Sequence, residues 1–394
     1  MEAPIDPALL KRTLRPRAEA SPLPREVYRS PEVLAWERTH MFEAAWVCVG
    51  REEDVPGPGD FLTATVGEEP VLVGRDQDGA LRAFSNVCQH RGSMLVLEPA
   101  VEGLDRVVCP YHGWTYGLDG SLRAAPHMAE TRDFDRADCG LSPLAAASLG
   151  GWVFVNVTGE AGSLEAYLDD LAPYLERFST GELRRVERRE YEVAANWKAL
   201  SENYQECYHC PSIHPELVTV TPYRSGRDDP SRGPWLGGPM DLADGCTTMT
   251  LTGTSDRRPI PGVAEEDLSR VYYFTVLPGL WISAHPDYVM THTVWPLAPD
   301  RTRIVCEWLF HPSQIRAPGF DPADAVEFWD LVNGQDWAAC ERVQRGLAAR
   351  GFRGGRFSDM EGTIHRLAGM FATAYLTGRI PRAAELDGRI STRS

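Results

Sequence analysis

Two short segments in the first third of the chain limit its possible folds more than any bulk property: Cys88-Gln89-His90 and, further on, Cys109-Pro110-Tyr111-His112. Two thiolates and two imidazoles are the ligand set of a [2Fe–2S] cluster in which cysteines hold one iron and histidines the other. Neutral histidine ligands raise the potential of such a centre above that of an all-cysteine cluster. Both ligand pairs run into glycine, in His90-Arg91-Gly92 and His112-Gly113-Trp114. Glycine there lets the backbone turn tightly and present N–H groups to the sulfurs. The same four residues could hold zinc instead, and the glycine after each pair favours the cluster. A chain with this centre handles electrons one at a time, so it must pass them on.

This is the Rieske ligand pattern. Rieske proteins of respiratory complexes usually add a cysteine to each ligand motif, where this chain has Ser93 and Tyr111. With no disulfide and fewer hydrogen bonds, a potential near the low end of the range is expected, roughly −150 mV.

At 394 residues the chain has room for two domains. Its 43% hydrophobic and 24% charged residues match a soluble globular protein. No apolar run is long enough to span a membrane, and the start, Met1-Glu2-Ala3-Pro4, lacks the layout of a secretion signal. Nine scattered cysteines argue against a disulfide framework and for a reducing cytoplasm. A net charge of −16 argues against a nucleic-acid surface.

Ser30, Pro31 and Glu32 mark a helix start, with Ser30 as N-cap. From Trp46 the pattern becomes short β-runs, including Phe61–Val66, Val71–Val73, Leu81–Asn86 and Trp152–Val157, with hairpin turns at Gly79 and Gly120. Leu164–Phe178 and Asn196–His209 read as helices, followed by an irregular Pro/Gly-rich stretch over Pro222–Gly262. Strands are predicted near Val271–Val276, Leu280–His285, Thr291–Pro296 and Ile304–Phe310, and helices over Pro322–Arg350 and Gly362–Leu376. The second half is thus an antiparallel sheet flanked by helices.

A second metal site is legible in Glu206-Cys207-Tyr208-His209 and Cys210-Pro211-Ser212-Ile213-His214-Pro215. On a helix, Glu206 and His209 share a face, and Pro211 would end that helix so that His214 folds back toward His209. Two such imidazoles require one carboxylate to complete the facial triad of a mononuclear Fe(II) with open positions. The alternative is two ordinary histidines capping a helix. Cys207-x-x-Cys210 lacks the second CxxC or the thioredoxin-like context that a zinc or redox reading requires. For the carboxylate, Asp336 falls on the helical stripe of Cys340, Val343 and Leu347, away from Glu341 and Arg342. An acid on a core face is costly unless paired or metal-bound; capping a helix start is its alternative role.

With these residues in view, the chain resembles the catalytic α subunits of the Rieske non-heme iron oxygenases. The likeness runs from the N-terminal helix and Trp46 through both cluster motifs, Asn196-Trp197-Lys198, His214-Pro215-Glu216-Leu217 and the Asp336 helix. It implies an α+β fold: an N-terminal helical segment over residues 1–44 that packs on the catalytic domain, a Rieske β-domain over 45–157, and a catalytic domain over 158–394. It implies a [2Fe–2S] cluster on Cys88, His90, Cys109 and His112, Fe(II) on His209, His214 and Asp336, and catalytic roles for Glu206 and Asn203. Such subunits form head-to-tail trimers in which the cluster of one faces the iron of the next. Glu206 would bridge cluster and iron, with electrons leaving His112 or His90. No GxGxxG fingerprint is present, so NAD(P)H is expected to be oxidised by a separate flavin/iron–sulfur reductase. A β subunit is not expected.

Glu206 in its Glu-Cys-Tyr-His-Cys setting, His285-Pro286-Asp287-Tyr288-Val289 and Gly355-Arg356-Phe357-Ser358 resemble the glycine betaine, choline and carnitine oxygenases more than the naphthalene or biphenyl dioxygenases. Hydroxylating an N-methyl group would then demethylate the substrate. A quaternary ammonium donates no hydrogen bond, so its pocket should offer aromatic faces; Trp235, Phe274, Trp281 and Tyr288 are the candidates. An aromatic substrate, hydroxylated or O-demethylated, is the alternative. A Rieske electron carrier without oxygenase activity is the alternative of another class.

Overall fold

Apolar alternation in the cluster-bearing part becomes sheet. In the computed structural model, which describes residues 2–386, Arg38–Leu164 form one compact unit. Seven antiparallel strands run in the spatial order Val47–Arg51, Trp152–Asn156, Pro143–Leu149, Leu81–Ser85, Glu69–Arg75, Phe61–Val66 and Ala100–Val101. A smaller sheet of Val107–Val108, Thr115–Tyr116 and Leu122–Ala124 carries the second cluster motif in the turn between its first two strands. Phe61, Leu72, Phe84 and Trp114 form a core that also encloses Cys88 and Cys109.

The rest of the described chain is the second unit. Its six-stranded sheet is a meander of Trp235–Asp241, Arg270–Val276, Leu280–Ala284, Val289–Ala298 and Arg301–Phe310, extended at its far edge by Arg184–Val193. Helices Trp197–Tyr204, Ala323–Leu347 and Gly362–Thr377 accompany it, giving an α+β protein. The expected irregular stretch is therefore wrong over Trp235–Asp241. Gly237 and Gly238 weaken the local strand signal, but a Cβ on Gly237 would lie 1.9 Å from the Tyr273 carbonyl, so glycine is what lets this strand pair closely. Arg184–Val193 escaped prediction because an edge strand rich in arginine and glutamate has no apolar alternation to betray it. The expected helix Leu164–Phe178 is broken into Leu164–Leu168, a 3-10 turn at Asp169–Leu171 and Ala172–Arg177.

Ser30 accepts the Val33 N–H at 3.2 Å and caps the helix Pro31–Glu37. Glu37 ends that helix as a buried anion. It is 2.7 Å from Lys198 Nζ, accepts Trp197 Nε1–H at 2.8 Å and takes the Tyr375 hydroxyl proton bond. Lys198 is one of only two lysines in the chain. Burying an ion pair is tolerable only with this degree of satisfaction. It fixes the start of the helix Trp197–Tyr204, which leads into the candidate iron site.

Candidate metal centres

Both cluster loops fold alike. Gly92 N–H donates to the Cys88 carbonyl at 3.0 Å and Gly113 N–H to that of Cys109 at 3.1 Å. Both glycines have positive φ, 69° and 72°, which other residues rarely adopt. The two sulfurs are buried, whereas His112 is exposed and His90 half-buried. The imidazoles approach to 4.7 Å between centroids, and His90 stacks on Trp114 at 4.8 Å. His90 Nδ1 is buried with no hydrogen-bond partner, as suits an atom that would ligate a metal. Burial raises the Cys109 thiol, but N–H groups of Tyr111 and His112 outweigh it and bring it below its ordinary value. The donor set therefore suits a cluster.

One residue here was not foreseen. The Tyr116 hydroxyl accepts Gln89 N–H at 3.1 Å, which leaves its proton for Cys88 Sγ at 3.3 Å. This hydrogen bond stabilises the more reduced, more negative cluster. It is one hydrogen bond to a cluster sulfur that the sequence reading did not count.

At the second site the expected helix Asn196–His209 stops at Tyr204. Glu206 turns back and accepts the N–H groups of Tyr208 and His209, the latter at 3.2 Å, in place of a continuing helix. Cys207 and Cys210, for which the sequence lacked the context of a zinc or redox pair, are joined by a disulfide. Pro211 does not end a helix; it sits in the first turn of Cys210–Ile213, where its missing N–H costs nothing. His209 and His214 occupy the two caps of that single turn. This is how residues five apart come to face one another without sharing a long helix.

Asp336 comes from the middle of Ala323–Leu347, away from the N-terminus where it would cap. Cys340 and Leu347 are buried as expected, but Val343 is 51% exposed. Gln344 is buried in its stead, accepting Asn196 N–H at 3.1 Å and donating to the Tyr28 carbonyl at 3.0 Å.

The ligand atoms of His209, His214 and Asp336 all lie within 4.8 Å of one another. Asp336 Oδ1 is 3.3 Å from His209 Nε2 and 2.9 Å from His214 Nε2. Each Nδ1 faces an oxygen: Glu206 Oε1 at 2.6 Å for His209, Gln335 Oε1 at 2.7 Å for His214. With both Nδ1 atoms donating, both Nε2 lone pairs point at a carboxylate oxygen. Three such ligand atoms so close together can hold a metal ion. Burial pulls the His209 pKa down, but the carboxylates of Asp336 and Glu206 on either side of the ring outweigh it and push it up to about 9. The set fits a facial triad with open positions.

These atoms face a cavity of about 530 Å³, also lined by Asn203, Tyr204, Glu206, Tyr273 and Trp329. None of the expected aromatic residues lines it. Trp235 and Phe274 pack on Tyr174 at 5.5 and 5.2 Å. Neighbouring residues of a strand face opposite ways, so Tyr273 takes the cavity side. Trp281 lies behind Tyr204 at 4.8 Å, and the Tyr288 hydroxyl accepts Trp329 Nε1–H at 2.7 Å. Both support the lining rather than form it. Trp329 had a sequence signal, since Trp329, Val332 and Asp336 repeat at helical spacing and all line the cavity. The His285–Val289 segment is core: Asp287 is buried and paired with Arg257 at 3.0 Å.

Two family models match the chain. The Rieske [2Fe-2S] domain covers residues 45–135, and the ring hydroxylating alpha subunit (catalytic domain) covers 180–376. The chain belongs to the Rieske oxygenase α subunits. This oxygenase is 30% identical over 387 residues to the glycine betaine monooxygenase oxygenase subunit of Pseudomonas aeruginosa, covering 90% of this chain and 89% of the relative. It is 36% identical over 345 residues to the carnitine monooxygenase oxygenase subunit of Acinetobacter pittii, covering 84% and 86%. The quaternary ammonium Rieske monooxygenase CntA superposes with a TM-score of 0.78 at 25% identity, over 95% of this chain and 99% of that one. Naphthalene 1,2-dioxygenase of Rhodococcus shares the fold with a TM-score of 0.75 at 21% identity, over 98% and 99%. As a member, the oxygenase carries a Rieske cluster and a catalytic non-heme iron and draws electrons from a reductase. The electron-carrier alternative is thereby set aside. Among the described residues, no helix is long and apolar enough to cross a membrane.

Proposed function

We propose that this oxygenase hydroxylates an N-methyl group of a quaternary ammonium compound of the betaine type. The observation that carries this reading is the cavity itself, where aromatic faces of Tyr204, Tyr273 and Trp329 stand beside the converging His209, His214 and Asp336. A cation without N–H groups is recognised by such faces. The glycine betaine and carnitine relatives support the same class.

In this reading Cys88 and Cys109 hold one cluster iron, His90 and His112 the other, and His209, His214 and Asp336 hold the mononuclear iron. When bound, these groups supply electrons and activate O₂. The chain's own residues do the rest. The aromatic wall holds the ammonium head so that one methyl group faces the triad. Glu206, accepting the His209 Nδ1 proton, fixes that ring and is the bridge toward a cluster supplied by a neighbouring subunit of a head-to-tail trimer. Asn203 lines the cavity beside Tyr204 as a further polar contact. One O₂, two electrons and two protons convert the methyl group to hydroxymethyl, with water as the other product. The hydroxymethyl ammonium then loses formaldehyde and a proton, leaving a tertiary amine. We place the protein in the cytoplasm and assign the cluster to residues 45–157 and oxygenation to 158–394.

The test is turnover with a surrogate reductase, following NADH consumption and formaldehyde. Coupled release of formaldehyde from a betaine-type compound supports the reading. No turnover of any such compound by protein with both metal sites filled refutes it.

A further inference from the structure

His214 is held from behind by a chain of two side chains. Gln335 Oε1 lies 2.7 Å from His214 Nδ1, and Gln335 Nε2 lies 3.2 Å from Glu216 Oε2. We propose that Glu216 and Gln335 form a positioning relay that sets the tautomer and orientation of His214; this rests on the reading of His214 as an iron ligand. A carboxylate can only accept hydrogen bonds, so the amide NH₂ of Gln335 must face Glu216. The amide oxygen then faces His214 and can also only accept, so the imidazole proton resides on Nδ1. The Nε2 lone pair is thereby turned toward Asp336 and the cavity. Reversing the amide would set Oε1 against Glu216 and NH₂ against an Nδ1–H, losing both bonds.

The relay has a structural economy. Gln335 adjoins Asp336 on the helix Ala323–Leu347, so one helix carries a ligand and the clamp on another ligand. Glu216 lies two residues beyond His214, so its own loop is fastened to the helix at two points. The two imidazoles are also treated unequally. His209 donates to the anionic Glu206, whereas His214 donates to a neutral amide. An anionic acceptor raises the basicity of the ring it holds, and an amide orients the ring with little added charge. The amide also keeps a further carboxylate out of a site that already holds Glu206 and Asp336.

The test is Co(II) titration of the mononuclear site in protein that retains its cluster, with cluster absorbance as the internal control for folding. Gln335→Leu removes both bonds and is expected to weaken Co(II) binding about 10- to 100-fold, the usual effect of losing a partner behind a metal ligand. Gln335→Glu sets two carboxylates against each other and is expected to weaken binding as well. The exchange Glu216→Gln with Gln335→Glu restores an acceptor for His214 and a donor for the new carboxylate. It is expected to recover most of the affinity lost in Gln335→Glu alone, a non-additivity that a packing role would not produce. Wild-type affinity in Gln335→Leu, or an exchange variant no better than Gln335→Glu, overturns the relay. If His214→Ala binds Co(II) as tightly as wild type, the ligand assignment fails instead.

Discussion

Replacing Trp329 by leucine tests the cavity's charge recognition apart from its packing. Trp329 is 5% exposed, its ring meets Tyr273 at 6.2 Å and 72°, and Tyr273 in turn meets Tyr204 at 6.1 Å and 83°. The indole is the richest cation-binding face of the three, and a desolvated cation over it contributes about 2 kcal/mol. At 1.4 kcal/mol per decade this is a ~30-fold change in Kd. Leucine also removes contact area, which would weaken any ligand. The comparison is therefore between a trimethylammonium compound and its tert-butyl analogue, the same shape without the charge. Calorimetric titration of both ligands is expected to show a preference for the charged one in the wild type, reduced about 30-fold by Trp329→Leu. Trp329→Phe keeps a ring and should lose much less. The Tyr288 hydroxyl retains its bond to the Met249 carbonyl at 2.7 Å in either variant, so the core behind the wall keeps an anchor. Equal weakening of the two ligands would refute the reasoning and make the wall merely apolar.

Other outcomes follow from single contacts. Glu206→Gln should retain both metal sites yet slow electron transfer from reduced cluster to iron, read by single-turnover absorbance; unchanged transfer would remove Glu206 from the path. Tyr116→Phe deletes the hydrogen bond to Cys88 Sγ. Such a bond to a charged group contributes about 1.5–3 kcal/mol. Only the part that differs between redox states reaches the potential, so a fall of some tens of mV is expected, at ~59 mV per decade for one electron. An unmoved midpoint in voltammetry would count against the bond. Lys198→Met leaves Glu37 buried without its cation and should cost about 3–5 kcal/mol in denaturant unfolding; a loss under about 1 kcal/mol, the value of an exposed pair, would contradict the burial.

What could be read in advance depended on how locally each feature is encoded. Phe61–Val66 was located to the residue, because a run of aromatic, aliphatic and β-branched residues between turn glycines is a local strand signal. Arg184–Val193 left no such trace, since its pairing with Arg301–Phe310 is long-range and its side chains are charged. That His209, His214 and Asp336 would come together was legible because metal-binding chemistry tolerates few residue types. The route to them was not: the helix ends early because the Glu206 carboxylate competes for backbone N–H groups, a tertiary choice invisible to helix periodicity. The aromatic wall failed for a parity reason. Tyr273 and Phe274 are neighbours on one strand, and which one meets the cavity depends on which face of the sheet the triad occupies. Gln335 went unremarked although it precedes Asp336, because its role appears only when Glu216 and His214 are brought against it.

The central claim is that the chain joins a cluster to a separate iron held by His209, His214 and Asp336. Iron quantification with Mössbauer spectroscopy on wild type and Asp336→Ala tests it most directly. The expected result is one mononuclear iron beyond the cluster pair in the wild type. In the variant that iron should be lost, with the cluster signal unchanged and oxygenation abolished. Wild-type protein holding only cluster iron, or an Asp336→Ala variant that keeps the additional iron, would contradict the claim.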